Sequence, residues 1–168
     1  MKNNLNISLT IKPTWFLSSS YAFFDRDTNQ IGSITLPLLA RIFGSNSATL
    51  TFENIDYQLI DSAIALNVNT QSRYVNTLLK KDNLVVIELQ YKSLKSSEEY
   101  RIIEQDKKLE YLIKLNGFGV WDIFLNNQKI GNLTNKEFIM RRASLELSEP
   151  VPALVQMLIF WGSINNQG

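Results

Sequence analysis

Any chemistry in this chain must come from Asp, Glu, Lys, Arg, Tyr and Ser, because it contains no cysteine and no histidine. Without cysteine there is no thiolate nucleophile, disulfide, zinc–thiolate or iron–sulfur ligation. Without histidine there is no imidazole base or ligand, so Ser-His-Asp and Cys-His arrangements are excluded. Asp25-x-Asp27-x-Asn29 has the spacing that opens an EF-hand loop. That loop needs glycine at its sixth position and glutamate at its twelfth, and here those places hold Gln30 and Leu36. The stretch therefore reads as a solvated hairpin turn. Gly117-Phe118-Gly119 lacks the rest of a dinucleotide fingerprint and opens no helix. Asp61, Glu98 and Glu99 show no partner in the sequence and make no glycosidase pair. The expectation is a protein that is not an enzyme and holds no cofactor or metal.

Three basic pairs remain. Lys80-Lys81 and Lys107-Lys108 fall at predicted hairpin tips, where they would meet anionic lipid headgroups if they share a face. Arg141-Arg142 falls inside a predicted strand, where neighbours point to opposite faces. One of the two then faces inward and needs a carboxylate such as Glu146. Lys plus Arg number 17 against 16 Asp plus Glu, a net charge of +1. No global field draws in DNA or RNA, and nucleic acid is excluded as a partner.

The elements that position these residues are short and alternating. Ile7, Leu9 and Ile11 share one face of a first strand, which Pro13 ends. Strands follow over 21–24 and 31–36, around the turn 25–29. Residues 38–43 read as a single helical turn or an apolar loop. Strands over 48–52 and 57–60 form a hairpin around Glu53-Asn54-Ile55-Asp56, and 62–71 reads as loop with extended pieces. A meander follows over 74–79, 85–92, 100–103, 109–115, 120–125, 130–133 and 138–147. In its second strand Val85, Ile87, Leu89 and Tyr91 line one face. About a dozen short strands with frequent turn signals predict an all-β barrel or sandwich, and the unbroken 168 residues predict a single domain spanning 1–168.

Two hairpins look alike. Phe23-Phe24, a turn, then Gln30-Ile31-Gly32-Ser33-Ile34-Thr35 parallels Ile123-Phe124, a turn, then Lys129-Ile130-Gly131-Asn132-Leu133-Thr134. A glycine inside a strand marks a bulge, a bend or the close approach of another group. If something bulky fills the barrel, both glycines are expected to face it.

That filling is expected from residues 150–162, the only long apolar run. Val151 precedes a proline and is disfavoured in the α region. The helix is predicted from Pro152, tolerated in the first turn, to Trp161, with Gly162 as its stop. Ten residues make roughly 15 Å of helix, too short for a bilayer that needs about 20 apolar residues. Leu154, Val155, Met157, Leu158, Ile159, Phe160 and Trp161 point all round it. Such a helix must be enclosed on every side, which predicts a core helix through the centre of a closed antiparallel barrel, with no transmembrane span.

A barrel of about twelve strands closed by an apolar C-terminal helix resembles the tubby-like C-terminal domain superfamily, here as a bacterial-type member. Tubby domains, phospholipid scramblases and the plant LURP-one-related proteins belong to it. The repeated Ile-Gly-x-(Ile/Leu)-Thr hairpins, the strand 138–147 and the Pro-x-Pro-plus-apolar segment carry the likeness. The resemblance implies that the helix threads the barrel and that lipid is the theme. It departs from the scramblases in having no cysteine for lipid modification. The sequence carries no secretory h-region at its start, so the expected location is cytoplasmic, at the membrane periphery. Three functions fit: a non-enzymatic module associating with anionic lipid surfaces, a protein-interaction scaffold, and a lipocalin-like carrier of a small hydrophobic ligand.

Overall fold

The structure, a computed structural model, describes residues 10–13, 20–25, 27–35, 47–67, 72–94, 97–117, 119–137 and 142–165. Among them are twelve strands and one helix. The strands are β1 (Thr10–Pro13), β2 (Ser20–Phe24), β3 (Gln30–Thr35), β4 (Ala48–Phe52), β5 (Ile55–Asn67), β6 (Ser72–Lys81) and β7 (Leu84–Leu94), followed by β8 (Ser97–Glu104), β9 (Leu109–Leu115), β10 (Val120–Leu125), β11 (Gln128–Glu137) and β12 (Arg142–Leu147). The helix α1 is Ala153–Asn165. Ile7 and Leu9, the 38–43 segment, residues 138–141 and the Arg141–Arg142 side chains lie outside what is described. The expected inward partner Glu146 is exposed.

All pairings are antiparallel and belong to one sheet. Sequence neighbours pair from β2 through β12. β1 hydrogen-bonds to β2 on one side and to β12 on the other, through Thr10↔Ser144 and Ile11↔Ala143. Every strand therefore has a neighbour on both sides in the pairing order. Glu53-Asn54, Asp82-Asn83 and Asn126-Asn127 each have positive φ at both residues. That geometry belongs to type I′ turns, whose twist matches the flanking strands and which asparagine and aspartate tolerate best.

Four strands depart from the simple alternation. In β7 the register shifts between Leu79↔Ile87 and Lys80↔Val85, so Val86 is an extra residue. The bulge turns Val85 out of the core face expected for it, and it is 38 % exposed while Ile87, Leu89 and Tyr91 are buried. The same device sits in the two similar hairpins, with Ile31 extra between Phe24↔Gln30 and Phe23↔Gly32 and Ile130 extra between Phe124↔Lys129 and Ile123↔Gly131. β5 is longer than its alternation shows. Residues 62–67, read as loop, are strand paired to β6 and exposed on both faces, so no hydrophobic alternation marks them.

The inward faces meet α1. Val155, Met157, Leu158, Ile159 and Phe160 are fully buried, Trp161 nearly so, and Leu154 half-buried. Phe160 stacks edge-on against Phe23 of β2 at 5.6 Å, and a Cβ on Gly32 of β3 would meet Met157 Cε at 2.5 Å. Half the pairing order away, Tyr100 of β8 donates its hydroxyl proton to the Ile159 carbonyl. Gln156 of the helix is buried and donates to the Val151 carbonyl at 2.7 Å.

Gly162 does not stop the helix, which runs on to Asn165. A Cβ there would stand 2.5–2.8 Å from three ring atoms of Tyr100. The glycine is a place of close approach, not a cap. Gly131 also differs from its counterpart Gly32. A Cβ on it would collide with the Glu146 carbonyl oxygen of the neighbouring strand rather than with the helix.

Candidate functional site

Antiparallel order puts the β2–β3, β4–β5, β6–β7, β8–β9 and β10–β11 turns at one end of the sheet, together with the entry to α1. Both lysine pairs are there. Lys80 and Lys81 are not in the turn itself. They are the last residues of β6, half-buried, and Asp82-Asn83 makes the turn. Lys107 and Lys108 are exposed in the turn after Glu104. Two strand spacings separate the β6–β7 and β8–β9 turns, about 10 Å.

The two pairs are not equivalent electrostatically. Lys107 Nζ lies 2.6 Å from Glu104 Oε2, and Glu104 is only 7 % exposed. The other Glu104 oxygen accepts from the Tyr111 hydroxyl at 3.3 Å. Lys107 thus neutralises a buried carboxylate. Burial, reinforced by Glu104, pushes the Tyr111 phenol up to about 12. Lys80, Lys81 and Lys108 form no ion pair with a described carboxylate, although Asp82 and Asp106 share their turns.

Sequence reasoning missed Leu84. It is 71 % exposed at the exit of the turn, directly opposite Lys81, and Val85 stands opposite Lys80. The signal was present. Leu84-Val85-Val86-Ile87 has four apolar residues in a row, and a strand with one inward face cannot bury all of them.

The other end holds an inward polar row. Arg73, Ser93 and Glu98 lie side by side across β6, β7 and β8. Burial raises the Tyr91 phenol. A hydrogen bond with Ser93 opposes that rise, Glu98 adds to it and Arg73 again opposes it. Burial also raises the Glu98 carboxyl. Beneath them a cavity of about 20 Å³ is lined by Thr77, Tyr91, Tyr100, Trp161 and Gly162 among others, room for about one water molecule. The Tyr100 phenol, wholly enclosed, is held well above its ordinary range by burial.

The remaining candidates have local partners. Both Asp25 oxygens accept from Asn29, at 2.8 and 3.1 Å, closing the turn. Asp61 accepts from the Thr77 hydroxyl at 2.6 Å, and Glu99 faces Lys114 at 3.9 Å. Among the described residues no group of three or more acidic side chains is placed to hold a metal ion, and no helix is long and apolar enough to cross a membrane. No family model matches the chain, and neither does any curated protein or solved structure.

Proposed function

We propose that the chain is a non-enzymatic binding module, a closed barrel of the tubby-like kind threaded by α1, which associates with anionic lipid surfaces through its β6–β7 and β8–β9 turns. The barrel reading is supported by the pairing of β1 with both β2 and β12 and by helix contacts to strands half the circuit apart. The fully buried side chains of α1 occupy the space among the strands that a carrier of hydrophobic ligands would keep open. Binding then belongs to the outer surface.

The observation that carries the lipid reading is Leu84, 71 % exposed beside Lys80 and Lys81 and one turn away from Lys108. An exposed apolar side chain next to lysines suits the boundary between headgroups and acyl chains. The module would be peripheral and cytoplasmic.

Flotation with phosphatidylcholine vesicles, with and without phosphatidylserine, tests this. The chain should float only with the anionic vesicles and be released by salt. Lys80→Glu/Lys81→Glu should weaken binding by about tenfold or more, at roughly 1 kcal/mol per basic residue near the surface. Leu84→Asp should weaken it even at low salt. An absence of flotation, with a specific protein recovered alongside the chain, favours the interaction-scaffold reading instead.

A further inference from the structure

The β9–β10 turn carries the chain's one Asn-Gly pair, Asn116-Gly117. Both residues are exposed. Asparagine is chemically labile, because the nitrogen of the next residue can attack its side-chain carbonyl and close a cyclic imide. A side chain on that next residue stands in the way, and a hydrogen bond from its N–H holds the nitrogen back. Neither protection exists at Gly117. A Cβ there would meet nothing within 4 Å, and its φ of +83° is a conformation that glycine adopts freely. Its N–H donates to nothing among the described residues. Asn54, Asn83 and Asn127, in the tight turns, are shielded. Each is followed by a residue that has a side chain and is paired across its hairpin: Ile55, Leu84 and Gln128.

We propose that Asn116 is a site of spontaneous deamidation whose product carboxylate is set directly against Asp122. The Gly117 nitrogen gives its proton to solvent base and attacks Cγ of Asn116. A C–N bond forms, the Cγ–Nδ2 bond breaks, and the nitrogen leaves as ammonia with a proton taken from solvent. Water then opens the imide at either carbonyl. The product is aspartate or isoaspartate, in which the backbone runs through the side-chain carbon. In the fold Asn116 Nδ2 donates to Asp122 Oδ2 at 2.8 Å. The reaction therefore replaces a donor by a second acceptor, beside a carboxylate that is only 13 % exposed. Two carboxylates that close disfavour each other's ionised form. Lys129, 2.6 Å from the other Asp122 oxygen, is the only cation paired with Asp122 among the described residues, so both carboxylates would share one ammonium group. Isoaspartate also lengthens the backbone next to the Asn116 N–H, which closes the turn onto the Val120 carbonyl at 2.8 Å.

The folded full chain, held for days in warm, mildly alkaline buffer, should gain one dalton at residue 116 before any other described asparagine reacts. Peptide mapping by mass spectrometry locates the gain, and isoaspartate should form part of the product. Gly117→Asn keeps a residue that tolerates positive φ while placing a side chain in the path of attack, and it should slow the reaction many-fold. Asn116→Asp stands in for the aspartate product. It should lower the melting temperature at neutral pH, and Asn116→Asp/Asp122→Asn should recover most of the loss, because the two sites are in contact and couple. Residue 116 unchanged while another described asparagine reacts overturns the proposal. So does a Gly117→Asn chain that reacts as fast as wild type. An Asn116→Asp chain as stable as wild type, or one that Asp122→Asn does not rescue, overturns the placement of the new charge against Asp122.

Discussion

Glu98 faces inward at the start of β8 beside Ser93, with Tyr91 close enough to feel its charge. No described cation lies within ion-pair distance of it. Burial alone raises its carboxyl above the ordinary 4.5. A raised folded-state pKa means that the folded chain holds the proton more tightly than the unfolded one. The stability this gives is complete below the unfolded pKa and is lost as pH rises through the folded pKa. At neutral pH the folded chain therefore carries a carboxylate that would be better solvated after unfolding. Glu98→Gln removes that disadvantage. Calorimetry should find the variant melting above wild type at pH 7, with the difference fading by about pH 4, where wild type is largely protonated in both states. A variant that melts lower at pH 7 would mean that Arg73 holds the carboxylate after all.

The paired hairpins β2–β3 and β10–β11 carry the same bulge one residue before a glycine, yet the glycines answer to different neighbours. At Gly32 a Cβ would meet the flexible end of Met157 at 2.5 Å and the fixed Thr51 carbonyl oxygen at 2.6 Å. At Gly131 the obstruction is the β12 backbone at Glu146, with Leu147 beside it. Gly32→Ala and Gly131→Ala should each destabilise by about 1–3 kcal/mol through overpacking. Only the first should couple to the helix. Denaturant unfolding in a double-mutant cycle with Met157→Ala should give about 0.5–3 kcal/mol of coupling for Gly32 and none beyond error for Gly131. Equal coupling at both sites would restore the symmetric picture that the sequence repeat suggests. Elements were legible where one face is buried and the other wet: β4 and β10 have the bounds that their alternation marks, and in β9 Tyr111 and Ile113 are buried although Leu115 on the same face is exposed. They were illegible where that contrast vanishes. Residues 62–67 of β5 are exposed on both faces, and the bulge at Val86 shifts the phase that placed Val85 inside. The lysine pairs of the candidate site could be read as charges, but not their burial, the Glu104 partner of Lys107 or the exposure of Leu84. Those depend on register.

At the scale of the molecule the first strand finds its second neighbour only in the last one. β1 meets β12 across Thr10↔Ser144, and α1 follows that strand. Tyr21, Phe23, Ile34, Leu50, Leu59 and Leu79 on the early strands and Tyr100, Ile102, Ile113, Trp121 and Ile123 on the later ones all belong to the one buried cluster that α1 joins. Without the helix that cluster would lose the Val155, Met157, Leu158, Ile159, Phe160 and Trp161 contacts together. Each such side chain contributes about 1.5–3 kcal/mol on full burial, so the helix as a whole contributes on the order of the 5–15 kcal/mol by which a domain is stable at all. A chain ending at Glu149 should therefore retain strand content by far-ultraviolet circular dichroism at best, lose its near-ultraviolet signal, bind a hydrophobic dye and aggregate. The milder variant Phe160→Ala, which removes one ring from against Phe23, should fold but lose about 3–5 kcal/mol in denaturant. A truncated chain that stays soluble and unfolds cooperatively would show that the sheet packs on itself and that α1 is an accessory.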